Sequence, residues 1–415
     1  MSMKITSLLA VVAAVSIGGA LVTGAQGSSA WPLKVEPMSS PAAPDSAQPQ
    51  LHVSRRGVIL SWVERNGAEA TLKFAERTGS AWSAPVTVAS GKDWFVNWAD
   101  VPSVIRLDDG TLVGHWLQKS GADTYAYDVR MSYSKDEGKT WSPSFTPHTD
   151  GTKSEHGFVS MIPMPGSALG VVWLDGRKMV AGGHGAPGGD GHGSGDMTLR
   201  FGTFGKDWKL VAEGEIDARV CECCPTTMAM TSDGPIVAYR DRSPEEVRDI
   251  MVSRLENGKW TAPKPVHEDA WRVPACPVNG PALSARGKDV AVAWFNAKED
   301  KPKSFAAFSS DAGRTFSPPI RLDDVASLGR VDIELLPDGS AVAAYMEFAD
   351  QRAQFRVRRI RPDGSKSDPV TVSGMAGSRG SGYPRMVLSG DELVFAWIDR
   401  DTKSQVRTAS ARVPK

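Results

Sequence analysis

The chain has 415 residues, 41 % of them hydrophobic, enough for a large core, and its 48 basic residues balance 48 acidic ones to a formal net charge of zero. No basic field exists to attract nucleic acid or an anionic membrane, so neither is expected as a partner. The 41 glycines, 28 prolines and 13 tryptophans, with few long helical periodicities, argue against a helical bundle and for many short strands joined by turns.

The first thirty residues read as an export signal. Lys4 supplies the positive start, residues 8–22 form an apolar run, and small residues follow, with cleavage expected after Ala25 or Ala30. That run is short for a membrane span and no second one occurs. The mature chain is therefore expected to be a soluble monomer, periplasmic or secreted, with no transmembrane segment. Residues 31–50 read as an extended N-terminal segment, rich in Pro, Ala and Ser over 39–50, and residues 51–415 as a single β domain.

Within that domain one pattern recurs: a small or proline-containing lead-in, an apolar segment, a turn with Asp and Gly, then a strand ending in an aromatic. The aromatics are Trp62, Trp116, Trp173, Tyr239, Trp294, Tyr345 and Trp397. Each unit has room for about four short strands, the size of a propeller blade. The prediction is an all-β, seven-bladed propeller, with six blades or a pair of sandwiches as alternatives. The last unit has room for three strands, so a segment such as 31–38 is expected to complete it and cover its open edge.

Two stretches, SKDEGKTW at 134–141 and SSDAGRTF at 309–316, carry a tight-hairpin logic. Asp136 and Asp311 can accept backbone N–H groups inside the turn, Gly138 and Gly313 permit a positive φ, and Trp141 and Phe316 pack beneath the blade. Weaker echoes stand at SAWSAP (80–85) and GKWTAP (258–263). These stretches resemble the Asp-box of the sialidase-like (BNR repeat) propellers, in which the box is structural.

The resemblance implies a site that the chain lacks in clear form. Sialidases grip the sugar carboxylate with three arginines and use a tyrosine nucleophile with a carboxylate acid. Here Asp100, in Ala99-Asp100-Val101-Pro102, stands where the first arginine is expected, and it would repel an anionic sugar. If the chain is nonetheless a divergent exo-sialidase or other glycoside hydrolase, Tyr383, Arg330, Arg385 and Asp175 are its candidate catalytic residues. Arg379 stands near the same lead-ins, and Asp175, Asp241 and Glu222 are the acids from which a carboxylate pair could be assembled.

The densest chemistry lies elsewhere. Cys221, Cys223 and Cys224 in RVCECCP precede the fourth apolar lead-in, and Cys276 in VPACPVNGP precedes the fifth, so the four sulfurs occupy equivalent positions in neighbouring units. In an exported protein one reading is a disulfide between Cys276 and one of the three, or a strained and redox-sensitive bridge within them. The other is a site for a soft metal, copper or zinc, since soft thiolates select Cu(I) and Zn(II). The glycine-rich stretch 182–196 is expected to emerge on the same face with His184, Asp190, His192 and Asp196, and His156 is a further candidate ligand. The function read from the residues is binding or handling of a metal ion, small ligand or glycan on this upper face. A structural or partner-binding propeller is the remaining alternative.

Overall fold

A computed structural model describes residues 30–179, 195–400 and 403–414. Among these, the strands form seven antiparallel sheets whose first strands follow one another round a ring, making a seven-bladed β-propeller. Blade one runs from Ser46–Val53 to Val86–Gly91, so its inner strand begins inside the segment that composition alone marks as an extended lead-in. Blade two has strands Ser103–Arg106, Leu112–Lys119 and Tyr127–Ser134, with Phe145 bridging to Met131 where a fourth strand would lie. Blade three spans His156–Met164 to Leu210–Val220, blade four Thr227–Thr231 to Lys264–Pro265, blade five Ala282–Arg286 to Ile320–Arg321, and blade six Ala326–Leu335 to Val370–Met375. Blade seven is made of Arg385–Ser389, Glu392–Asp399 and Gln405–Arg412, with Glu36–Met38 added as its outer strand. No helix among the described residues is long and apolar enough to cross a membrane.

The burial pattern follows from this stacking. The second strand of a blade lies between two neighbouring blades, so it is apolar on both faces and reads as a continuous run, as in Ala168–Asp175 and Asp289–Asn296. Trp62, Trp173 and Trp294, the aromatics of the repeat, are completely buried there. Fourth strands face solvent, and Leu210–Val220 is largely exposed.

The Asp-box hairpins lock blades together. Ser134 Oγ donates to Asp136 Oδ1 at 2.8 Å and accepts the Gly138 N–H at 2.9 Å, while Asp136 accepts the Thr140 N–H and hydroxyl at 2.9 and 2.7 Å. Those bonds, led by the Thr140 hydroxyl, lower the Asp136 carboxyl to about 2. The 309–315 turn repeats the same bonds. The aromatic that follows reaches into the preceding blade. Trp141 meets Phe74 edge-on at 6.3 Å, Trp260 meets Phe201 at 5.7 Å, and Phe316 joins the cluster around Ile236.

Gly313 is needed twice, for its φ of +79° and because a Cβ there would stand 2.3 Å from Ile236 Cδ1. Gly390 has a φ of +65° but open space around it. Gly313→Ala is therefore expected to cost about 1–3 kcal/mol more than Gly390→Ala, measured by denaturant unfolding.

Candidate functional site

Two loops at the propeller mouth carry the four cysteines. The first joins the outer strand of blade three, ending at Val220, to the inner strand of blade four, starting at Thr227; the second precedes the inner strand of blade five, starting at Ala282. Because those inner strands are neighbours, the loops meet. Their backbones come so close that a Cβ on Gly280 would lie 2.0 Å from the Pro225 carbonyl oxygen. Cys276 packs against the buried Cys221, Cys223 and Cys224, bringing together all four sulfurs that the repeat placed at equivalent positions.

Cys221 Sγ lies 3.7 Å from Cys223 Sγ and 3.2 Å from Cys224 Sγ, well beyond the ~2.05 Å of a disulfide. Ligand atoms of the triplet all fall within 4.8 Å of one another, the compactness a single ion requires. Two arginines stand beneath them. Arg248 Nη1 donates to Cys221 Sγ at 3.3 Å and to Glu222 Oε2 at 2.9 Å, and its Nη2 donates to Glu246. Arg240 lies over the Trp271 ring and donates to the carbonyls of Asn279, Arg248 and Phe295. These arginines stand in the runs YRDR (239–242) and EEVRD (245–249).

Burial raises the Cys221 thiol to about 11 and pushes Cys223 up as well. Burial also opposes ionisation of Cys224. Hydrogen bonds from Cys221 and Cys223, the Arg240 charge and the Asn279 N–H outweigh it and hold this thiol well below its ordinary range. The cluster therefore holds one sulfur disposed to be a thiolate beside sulfurs that keep their protons until something replaces them.

The candidates for glycan chemistry are engaged otherwise. The Tyr383 hydroxyl donates to the Val278 carbonyl at 2.6 Å, and burial followed by the charge of Cys224 pushes its pKa far up. Val278 is β-branched at a φ of +46°, a strained conformation, so Tyr383 serves as a positioning residue for the cysteine loop. Arg330 lies over Trp98 and spends its guanidinium on the carbonyls of Gly382 and Ser378, while its N–H donates to Asn279 Oδ1. Arg385 lies over the Tyr383 ring and lines a central channel of about 240 Å³. Asp175 is fully buried, accepting from Trp173 Nε1 at 2.8 Å and from three nitrogens of Arg177. Asp100 accepts the Phe158 N–H at 2.8 Å, and burial raises its carboxyl to about 7.

His156 faces carboxylates instead of the sulfurs. Its ring stacks on His148 at 3.9 Å, with Asp150, Asp175 and Asp128 at 3.2, 3.7 and 3.7 Å. Asp196 pairs with Arg219, whereas His184, Asp190 and His192 lie outside the described residues.

Beside the sulfurs opens a cleft of about 360 Å³. Cys223, Cys276, Tyr125, Glu155, Trp98 and Arg379 are among its walls. Of these, Tyr125 and Glu155 carried no signal in sequence, because two different blades contribute them.

No family model matches the chain, and no curated protein does. Among solved structures, the polysaccharide lyase Uly1 aligns with a TM-score of 0.53 at 10 % identity, covering 89 % of this chain and 90 % of that one. A protein of unknown function from Dyadobacter fermentans aligns with a TM-score of 0.51 at 12 % identity, covering 92 % and 98 %. NanB sialidase from Streptococcus pneumoniae, as its K499G mutant, gives 0.46 at 10 % identity over 91 % and 94 %. At such identities the likeness concerns the fold alone. The chain is a seven-bladed β-propeller.

The histidine pair gives a pH test. Burial disfavours the charged form of His156, but Asp150, Asp175 and Asp128 more than offset it and raise its pKa above the ordinary 6.5. A raised value means stabilisation that is complete below about pH 6.5 and is lost as pH climbs through the folded-state value. His148 is held down to about 3, chiefly by burial, and acts in the opposite sense on the acid side. His156→Gln should thus flatten the alkaline fall of Tm relative to wild type, and His148→Gln should not; thermal melts from about pH 6 to about pH 9 check this.

Proposed function

We propose that the chain is an exported propeller whose cysteine cluster holds a soft metal ion, Cu(I) or Zn(II), with Cys221, Cys223 and Cys224 as ligands and Cys276 completing the set. The observation that carries the reading is the sulfur spacing. Four thiolates around zinc, with Zn–S about 2.3 Å, stand about 3.8 Å apart, and Cys221 and Cys223 are separated by 3.7 Å. The 3.2 Å between Cys221 and Cys224 opens to that value with a small rotation of one side chain. Arg240 and Arg248 lower the electrostatic cost of gathering several thiolates in a buried place, and the Arg248–Glu222 and Arg248–Glu246 pairs hold that cation in position.

The same 3.2 Å contact favours a second reading, in which Cys221 and Cys224 cycle between dithiol and disulfide. The two separate cleanly in solution. Reduced protein titrated against a competing chelator is expected to bind one Cu(I) or Zn(II) per chain. Cys221→Ser and Cys224→Ser should each weaken that binding by more than the roughly 10–100-fold that loss of an outer partner costs. Protein that binds neither ion, yet forms one reversible disulfide in a redox titration, would replace the metal reading with the redox one.

Tyr383→Phe provides a check on positioning. Losing the hydrogen bond to Val278 should weaken metal binding several-fold while Tm falls by only a few degrees, consistent with about 1 kcal/mol for one neutral hydrogen bond.

A further inference from the structure

We propose that the cleft beside Cys276 is the port through which the cluster receives its metal, and that the donor is a small thiol complex bearing a carboxylate. The proposal rests on the metal reading above and adds a route and a donor to it. Three of the four cysteines are buried, with Cys221, Cys223 and Cys224 only 1, 7 and 2 % exposed. Cys276 alone is half-buried, and Cys276 and Cys223 both line the 360 Å³ cleft. An ion reaching the interior therefore meets Cys276 first, with Cys223 next inward.

The walls describe what can bring it. The volume suits a small molecule, and Trp98, Phe158 and Val278 offer apolar surface to its carbon skeleton. Arg379 is exposed in the same wall, and its charge acts on both Tyr125 and Arg330. A guanidinium at the rim of a cleft recognises a carboxylate through paired N–H donors. Glu155 is buried in the wall and accepts the Tyr127 hydroxyl at 2.7 Å, so a zwitterion suits the cleft better than a dianion. A thiol that also carries carboxylate and ammonium groups, the chemistry of cysteine and its short peptides, matches all three features.

The transfer is ligand exchange. The Cys276 sulfur forms a bond to the metal as the bond from the carrier's sulfur breaks, and the Cys276 proton passes to that sulfur, which leaves as free thiol. Bonds to Cys223, Cys221 and Cys224 follow, with the displaced protons released to solvent through the cleft. The metal keeps its oxidation state throughout.

The test uses the full reduced protein and two Cu(I) donors, the cysteine complex and the complex of uncharged 2-mercaptoethanol. Transfer is followed by stopped flow, and equilibrium affinity by chelator competition. Arg379→Ala is expected to slow transfer from the cysteine complex about fivefold, the size of a partly exposed ion pair, and to leave the mercaptoethanol rate and the equilibrium affinity unchanged. Cys276→Ser should slow both donors more than tenfold while the triplet still binds. Arg379→Ala slowing both donors equally, or neither, would overturn the carboxylate donor. Cys276→Ser leaving both rates unchanged would overturn the port. Wild-type protein that binds no Cu(I) at equilibrium would remove the metal reading itself, and the port with it.

Discussion

Ring closure sets the distance between the inner strands of blades four and five, and that single spacing decides what the mouth of this propeller can do. The loops that precede those strands have nowhere to go but toward each other. Their meeting is sharpened by Gly280, whose missing side chain lets its backbone rest against the Pro225 carbonyl. A Cβ at that point would force the loops apart and move Cys276 and Cys224 with them. The sulfur cluster thus depends on a backbone contact made possible by one absent methyl group.

That contact carries an electrostatic problem. Thiols buried in an apolar place resist ionisation, as the raised Cys221 shows, and a buried thiolate needs compensation from charge or hydrogen bonds. The fold supplies both from outside the cysteine loops. Arg240 and Arg248 flank the middle strands of blade four, and the Asn279 N–H points at Cys224 from the opposing loop. Each arginine is itself held by fixed partners, carbonyls for Arg240 and carboxylates for Arg248, so the positive charge beneath the sulfurs is fixed in place. The strained Val278, tied by Tyr383 from blade seven, shows the same economy: a distant blade fixes the loop that carries Cys276.

How much of this was legible in the chain follows from what each feature depends on. The blade count was readable because the second strand of every blade is buried on both faces, which prints the same apolar run and terminal aromatic seven times. The Asp-box turns were readable because all their bonds are local, within four or five residues. The proximity of Cys276 to the triplet followed from equivalent positions in adjacent repeats. What the order of residues could not display was any group brought in across the ring. Tyr125 comes from the loop between the second and third strands of blade two, Glu155 and Arg379 from the lead-ins of blades three and seven, and no spacing in the sequence links them. Arg248 was visible only as one charge in an acidic-basic run, since nothing local distinguishes a cation beneath a thiol from one at the surface. His156 was placed beside the sulfurs for the same reason; its actual partners precede it in chain order, Asp128 on the third strand of blade two and Asp150 on the loop that follows, whose path the repeat does not dictate.

The residues that suggested glycan chemistry make sense in the same frame. A carboxylate-binding mouth needs uncommitted guanidinium groups, but Arg330 is spent on two backbone carbonyls and Arg385 lies against Tyr383 beside the channel acids. A tyrosine nucleophile needs a neighbouring base to take its proton, whereas the Tyr383 hydroxyl donates a hydrogen bond to the Val278 carbonyl beside the sulfurs. Asp100, raised to about 7 by burial, is half-protonated near neutrality and bonds the Phe158 N–H across to blade three. Each of these groups is occupied in holding blades or loops in register around the mouth. The cleft beside the sulfurs is walled instead by side chains from several blades, Cys223, Cys276, Tyr125, Glu155 and Arg379 among them.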